Sequence, residues 1–73
     1  METLSTLKIG QNVLIGQIDT TIDKKIKLLG LGVSTGTQVS ILRNRGGDMV
    51  VAIGNARVSL GRTLTCLIKA KAL

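Results

Sequence analysis

The sequence predicts a mainly β fold, a small barrel of about five strands with one short α-helix between the first and second strands. Three observations lead to this prediction. Short segments rich in isoleucine, leucine and valine alternate with polar residues, which is the period of a half-buried strand. Glycine-containing pairs separate some of these segments at hairpin spacing. Only one segment, about residues 20–29, carries apolar residues at helical spacing.

The chain has 73 residues, which predicts a single domain, 1–73, with a minimal core. It has no Phe, Tyr or Trp, so that core must be aliphatic. The single cysteine, Cys66, cannot close an internal disulfide, and its apolar neighbours predict a buried structural thiol in a reducing compartment. No apolar run reaches the roughly 18 residues that span a bilayer, and the N-terminus lacks a signal-peptide pattern. A cytoplasmic protein without membrane insertion is therefore expected.

The first strand is predicted at residues 12–18. Val13 and Ile15 share one face of it, whereas Ile18 lies three positions further on. An alternating strand places all three inward only if one residue is inserted, and Gly16 is the natural site for such a bulge. A bulge bends the strand, as closure of a small barrel requires.

The helix is predicted at residues 20–29. Thr20 and Asp23 form a start signal of the capping-box kind, and Gly30 is expected to end the helix in a left-handed conformation. A helix this short depends on docking for its stability. The side expected to dock onto the sheet is an apolar stripe formed by Ile22, Ile26 and Leu29.

The rest of the chain reads mainly as strands. A loop at Asn44–Gly47 and a hairpin turn at Gly54-Asn55 divide it, and Gly61–Leu64 is expected to form a short turn. The predicted strands are residues 37–43, 48–53, 56–60 and 66–72.

The residue inventory argues against an enzyme. There is no histidine, the side chain that most often transfers protons in catalysis. Of the four carboxylates, Asp19 and Asp23 are explained by helix capping, while Glu2 and Asp48 stand alone. Ferrous iron is held by several His, carboxylate or Cys ligands at once, and the chain has no such set. No catalytic residue, metal ligand or cofactor site is expected.

Charge is the strongest bias, with a net charge of +6 and a pI near 10.3. Lys24, Lys25 and Lys27 cluster on the helix, and Arg43 and Arg45 lie beside the glycine loop. Glycine-rich turns can aim backbone N–H groups at an anion, so residues 43–48 are a candidate phosphate contact. The loop joins strand to strand and lacks a Gly-Lys-Ser/Thr motif, which favours a plain hairpin.

A protein-contact surface is predicted near the end of the helix. Leu28 lies about 100° from the apolar stripe on the helical wheel. With Leu31 and Val33 it would form an apolar centre, and the three helix lysines would form a basic rim. The alternative is that Leu28 tucks under the following turn as ordinary core.

Two other kinds of partner follow from the composition. A small basic barrel that binds nucleic acid is the alternative function, but single-strand binders of this shape use aromatic stacking and the chain has no aromatic residue. Nucleic acid is therefore an unfavoured partner. Exposed strand edges also make weak self-association possible in principle.

The order of these motifs resembles the FeoA family. Leu28-Leu29-Gly30-Leu31-Gly32 running into Gly36-Thr37 is similar to the family's leucine-glycine segment before a proline-glycine turn. Gly46-Gly47-Asp48, Val58-Ser59-Leu60 and the Ile68 strand resemble the rest of the pattern, from Leu4 to Lys71. Thr35 replaces the usual proline. Gly61 stands where a basic residue is common in the family, so the resemblance does not assign a contact role to position 61.

The resemblance implies an SH3-like barrel, also similar to the C-terminal domain of metal-dependent repressors. It further implies a cytoplasmic accessory protein of ferrous iron uptake. The implied partner is the ferrous iron permease, a membrane protein with a cytoplasmic GTPase domain, so the chain would lie at the inner face of the membrane. The transition metal with which the family is associated would then be handled by this partner and not by the chain itself. The predicted partner-binding residues are Lys24, Lys25, Lys27, Leu28, Leu31, Val33, Arg43 and Arg45.

Overall fold

The computed structural model describes all 73 residues and shows one antiparallel sheet around one aliphatic core. The six strands lie in the order β1-β6-β2-β3-β4-β5. This is the predicted SH3-like architecture, with a helix between the first two long strands and one strand more than expected. The elements are β1 (Glu2–Thr3), β2 (Asn12–Ile18), α1 (Ile22–Gly30), β3 (Gln38–Arg45), β4 (Asp48–Ile53), β5 (Ala56–Gly61), α2 (Arg62–Thr65) and β6 (Ile68–Ala72).

The predicted bulge in β2 is confirmed. The register of β2 against β6 shifts between Ile15 and Gln17, so Gly16 is the inserted residue. As a result Val13, Ile15 and Ile18 are all buried although their spacing is not regular. A second bulge, which the sequence did not predict, shifts β3 against β4 between Ile41 and Arg43.

Two hairpins connect β3, β4 and β5. Gly54-Asn55 forms the predicted two-residue turn, since Ile53 pairs directly with Ala56. Gly54 has φ +58° while Asn55 has a negative φ, the sign pattern of a type II′ turn. The other turn is tighter than predicted because Arg45 pairs with Asp48, which leaves only Gly46 and Gly47 in the loop. Residues 44 and 45 therefore extend β3.

The N-terminal segment is part of the barrel, although the sequence reading assigned it no structure. Strand β1 pairs with β6, and a 3₁₀ turn follows at Leu4–Thr6. Leu4 and Leu7 are both buried in the core. The Nδ2 of Asn44 donates to the carbonyl oxygens of Ser5 at 3.0 Å and Leu7 at 2.7 Å, which fastens this segment to β3.

The core is aliphatic, as the composition requires. Thr65 is the only buried polar residue, and its hydroxyl donates to the Arg62 carbonyl oxygen at 3.5 Å. The prediction of a buried thiol is wrong, because α2 turns the chain so that Thr65 faces inward and Cys66 faces solvent. The buried aliphatic residues are Leu4, Leu7, Val13, Ile15, Ile18, Leu28, Val33, Val39, Ile41, Met49, Val51, Val58, Leu60, Ile68 and Ala70.

Candidate functional site

Helix α1 begins one residue later than its start signal suggested. Thr21 is the N-cap, and its Oγ1 accepts a hydrogen bond from the Lys24 backbone N–H at 3.3 Å. The predicted cap, Thr20, lies outside the helix. Asp23 lies in the first turn, where a negative charge is favoured by the helix dipole.

The end of α1 is a Schellman motif centred on Gly32. The Gly32 N–H donates to the Leu29 carbonyl oxygen at 2.9 Å, and the Val33 N–H donates to that of Leu28 at 2.8 Å. Gly32 has φ +92°, whereas Gly30 is the last helical residue. The prediction that Gly30 is the left-handed cap is therefore wrong by two positions.

This motif gives a matched pair of stability predictions. Gly32→Ala is expected to lower the free energy of unfolding by about 1–2 kcal/mol, because an L-residue is strained at this φ. Its Cβ would meet Ile53 only at 3.6 Å, so the loss comes from the backbone and not from a clash. Gly30→Ala is expected to raise stability by about 0.5–1 kcal/mol, since its Cβ meets nothing within 4 Å. Urea denaturation of both variants checks this, and equal effects would contradict it.

The Schellman motif also carries Leu28 and Val33 into the core. The two residues occupy the positions that commonly pack together in this motif, and each is only 1% exposed. The hypothesis that they form part of an exposed contact surface is therefore wrong, and the alternative of Leu28 as ordinary core is confirmed. Leu28 is the only buried residue of α1.

The stripe expected to dock onto the sheet instead faces solvent. Ile22 is 74% exposed, Ile26 61% and Leu29 61%. The docking prediction is therefore wrong, because α1 enters the core only at its C-terminal end, through Leu28. Leu31, just beyond the helix, is 47% exposed but lies about 180° from this stripe on the helical wheel. We call the three residues of the stripe, Ile22, Ile26 and Leu29, the helix face.

An open cleft separates α1 from the bulged strand β2. Its volume is about 390 Å³. Lys25 and Leu29 line it from the helix, residues 16–19 line it from β2 and the chain just after it, and residues 33–35 complete it. Leu29 therefore belongs both to the helix face and to the wall of this cleft, which makes the two features one continuous surface.

The other sequence-predicted contact residues divide between two places. Lys24, Lys25 and Lys27 are exposed on α1, but only Lys25 lies next to the helix face, because a turn of about 100° per residue puts Lys24 and Lys27 on the opposite side of the helix. Arg43 and Arg45 are exposed on β3, which is part of the sheet and not of the helix. Of the predicted apolar centre of Leu28, Leu31 and Val33, only Leu31 is exposed, and Lys24 and Lys27 flank it, while the helix face has Lys25 beside it.

Most of the residues that line the cleft have polar side chains, namely Gln17, Asp19, Lys25, Ser34 and Thr35. Gln17 Nε2 donates to Asp19 Oδ1 at 2.6 Å. No three or more His, Cys, Asp or Glu side chains come together in a geometry that could hold a metal ion. Neither helix has the length or the apolar character that a membrane crossing requires. What the arrangement offers is an exposed aliphatic helix face with one cation, Lys25, beside it, which suits contact with another macromolecule.

Comparison with known proteins places the whole chain in one family. Residues 2–72 match the model of the FeoA domain. A Methanocaldococcus jannaschii protein, described as a candidate Fe(2+) transport protein A, is 25% identical over 68 residues, which cover 93% of this chain and 83% of the relative.

Solved structures share the same fold. An iron uptake regulatory protein (FeoA) superposes with a TM-score of 0.91 at 21% identity, covering 97% of this chain and 96% of that one. Iron(II) transport protein A from Clostridium thermocellum gives a TM-score of 0.90 at 26% identity, over 97% of this chain and 45% of that one. A manganese-dependent transcriptional repressor superposes with a TM-score of 0.87 at 23% identity, covering 99% of this chain and 41% of that one. The match of the domain model over nearly every residue shows that this chain belongs to the FeoA family.

Proposed function

We propose that the chain is a non-catalytic accessory protein of ferrous iron uptake. In this proposal it binds the cytoplasmic GTPase region of the ferrous iron permease and modulates the assembly or activity of that transporter. Family membership supports the link to iron uptake, as do the names of relatives described as iron(II) transport proteins. The chain would act in the cytoplasm, at the inner face of the membrane, and the permease would handle the metal.

The single observation that carries a binding role is the helix face. Three large aliphatic side chains repeat at i, i+4 and i+7 on α1 and are all more than half exposed. Such spacing is the one by which a helix enters an apolar groove of another protein. Covering an aliphatic side chain of this size releases about 1.5–3 kcal/mol, so three of them can supply a large part of a specific contact.

The surroundings of the helix face fit the same role. Lys25 would lie at the rim of the contact, where its charge stays hydrated, and Lys24 and Lys27 on the other side of α1 would add a longer-range attraction for an acidic partner surface. The cleft beside Leu29 would admit a polar side chain of the partner next to the helix, since only three of its nine lining residues are hydrophobic. Since α1 is joined to the core only through its last turn, the partner would also stabilise the first turns of the helix.

The proposal is tested by titrating the chain into the purified cytoplasmic region of the permease by isothermal calorimetry, and into the full-length transporter in lipid nanodiscs. We expect saturable one-to-one binding in both cases and a change in the GTP hydrolysis rate. Absence of binding to both forms would refute the proposal. Binding to the full-length transporter alone would show that the contact lies outside the GTPase region, and would refute the proposal that the chain binds that region.

A further inference from the structure

The free edge of β5 is a second exposed feature, on a different part of the molecule from the helix face. The sheet has two edges, β1 and β5. Strand β1 has two residues, whereas β5 has six and pairs with β4 without any shift of register. The bulges that twist β2 and β3 are absent from this pair. Strand β5 is therefore the edge that is long and regular enough to receive another strand.

The two-residue turn fixes which backbone groups of β5 point outward. Ile53 and Ala56 flank this turn and form a hydrogen-bonded pair, and the pairs then alternate along the ladder. Val58 directs its N–H and C=O toward β4, while Arg57 and Ser59 direct theirs toward the free edge. No backbone hydrogen bond outside the helices and strands involves residues 56–61. Arg57 and Ser59 thus each offer one donor and one acceptor to a new strand.

The charges beside this edge are nearly all of one sign. Cross-strand pairing places Arg43 in line with Val50 and Ser59, and Arg57 in line with Ala52 and Ser40. The inward positions of the same strands are buried, so both arginines lie on the outer surface of the sheet. The other two of the chain's four arginines, Arg45 and Arg62, lie with Asp48 at the opposite end of the β4–β5 hairpin from Arg57, beside the Gly46-Gly47 turn.

Arginine and backbone together select the kind of partner. Arg62 Nη2 donates to the Gly46 carbonyl oxygen at 2.9 Å, which holds this guanidinium against the β3–β4 turn, next to Arg45. A guanidinium pairs with carboxylates through two parallel hydrogen bonds. We infer that β5 binds an extended acidic segment of a partner protein, which adds to the sheet as a seventh, antiparallel strand and places its carboxylates beside Arg57. This goes beyond the proposed function, because it assigns a second surface and a different mode of recognition.

The test uses the isotope-labelled full chain and a capped hexapeptide of alternating glutamate and valine, followed by NMR and amide hydrogen exchange. We expect saturable binding in which the amides of Arg57 and Ser59 become protected. The amides of Val58 and Leu60 should change little, since β4 already holds them. A matched peptide with glutamine in place of glutamate is expected to bind at least about tenfold more weakly.

Two variants of β5 and one control variant distinguish binding at this edge from a general effect of charge. Ser59→Pro removes an outward N–H without breaking the ladder to β4, so we expect it to abolish peptide binding. Arg57→Ser is expected to weaken binding about five- to tenfold, and Lys25→Ser, with the same loss of charge on the helix, to leave it unchanged. If Ser59→Pro does not fold, the inference is tested by the unsubstituted chain alone, in which the peptide should protect the amides of Arg57 and Ser59 but not those of Val58 and Leu60.

Three outcomes would overturn the inference. The first is protection that does not alternate along β5, and the second is equal binding of the glutamate and glutamine peptides. The third is binding of a short single-stranded oligothymidylate that is tighter than peptide binding, which would make the arginine surface a nucleic-acid contact. Because none of these measurements involves the helix face, they do not depend on the outcome of the permease titration.

Discussion

Replacing Leu28 by alanine is expected to lower the free energy of unfolding by about 2–5 kcal/mol, the usual range for a fully buried leucine. Leu28 is 1% exposed and is the only residue of α1 in the core. A single core in a chain of this size rarely supplies more than about 3–5 kcal/mol in total. The expected loss is therefore most or all of the folding free energy. Urea denaturation monitored by circular dichroism measures it.

Leu29→Ala is the control for Leu28→Ala. It makes the same chemical change one residue further along the same helix, but at a side chain that is 61% exposed. We expect a change in unfolding free energy within about 0.5 kcal/mol, as for most surface substitutions. Similar losses for the two variants would mean that the helix packs on the barrel along its whole length, which contradicts the position of the helix face.

The contrast between these neighbouring leucines shows what helical periodicity can predict. The spacing of Ile22, Ile26 and Leu29 correctly indicated an amphipathic helix with one apolar side. It could not indicate whether that side meets the chain's own sheet or another molecule, since both require the same pattern. A better signal for Leu28 was present in the sequence. A glycine at position 32 followed by an apolar Val33 is typical of a Schellman motif, in which residue 33 packs against residue 28.

Two features determined by local backbone geometry were predicted correctly. The uneven spacing around Gly16 indicated a bulge, and Gly54-Asn55 indicated a hairpin, because both depend on a few adjacent residues. The alternation in β4 and β5 also placed Met49, Val51 and Leu60 correctly in the core. These features do not need knowledge of distant parts of the chain.

Features that depend on distant contacts were missed. Strand β1 has only two residues and is recognisable only through its pairing with β6 at the other end of the chain. The extension of β3 is held by Asn44, whose amide bonds to backbone oxygens near residue 6, almost 40 positions away. Cys66 has apolar neighbours in sequence, but α2 rotates it outward. The free edge of β5 follows from strand order, which no motif in the sequence records.

The second large effect is expected at the helix face. Ile26→Glu should weaken binding to the cytoplasmic region of the permease by at least about 100-fold, because the contact would have to bury a charge in an apolar centre. The side chain is 61% exposed in the free protein, and glutamate is a good helix former, so the fold should persist. Calorimetric titration measures the affinity, and circular dichroism checks the helix.

Ile9 supplies the control that makes this prediction specific. It is also 61% exposed but lies between β1 and β2, outside α1. Ile9→Glu makes the same change in charge and apolar area, so it should leave binding within about twofold of the unsubstituted chain. Equal losses in the two variants would show that binding responds to net charge and not to the helix face. A loss confined to Ile26→Glu would assign the contact to α1, because the two side chains differ in place and not in exposure.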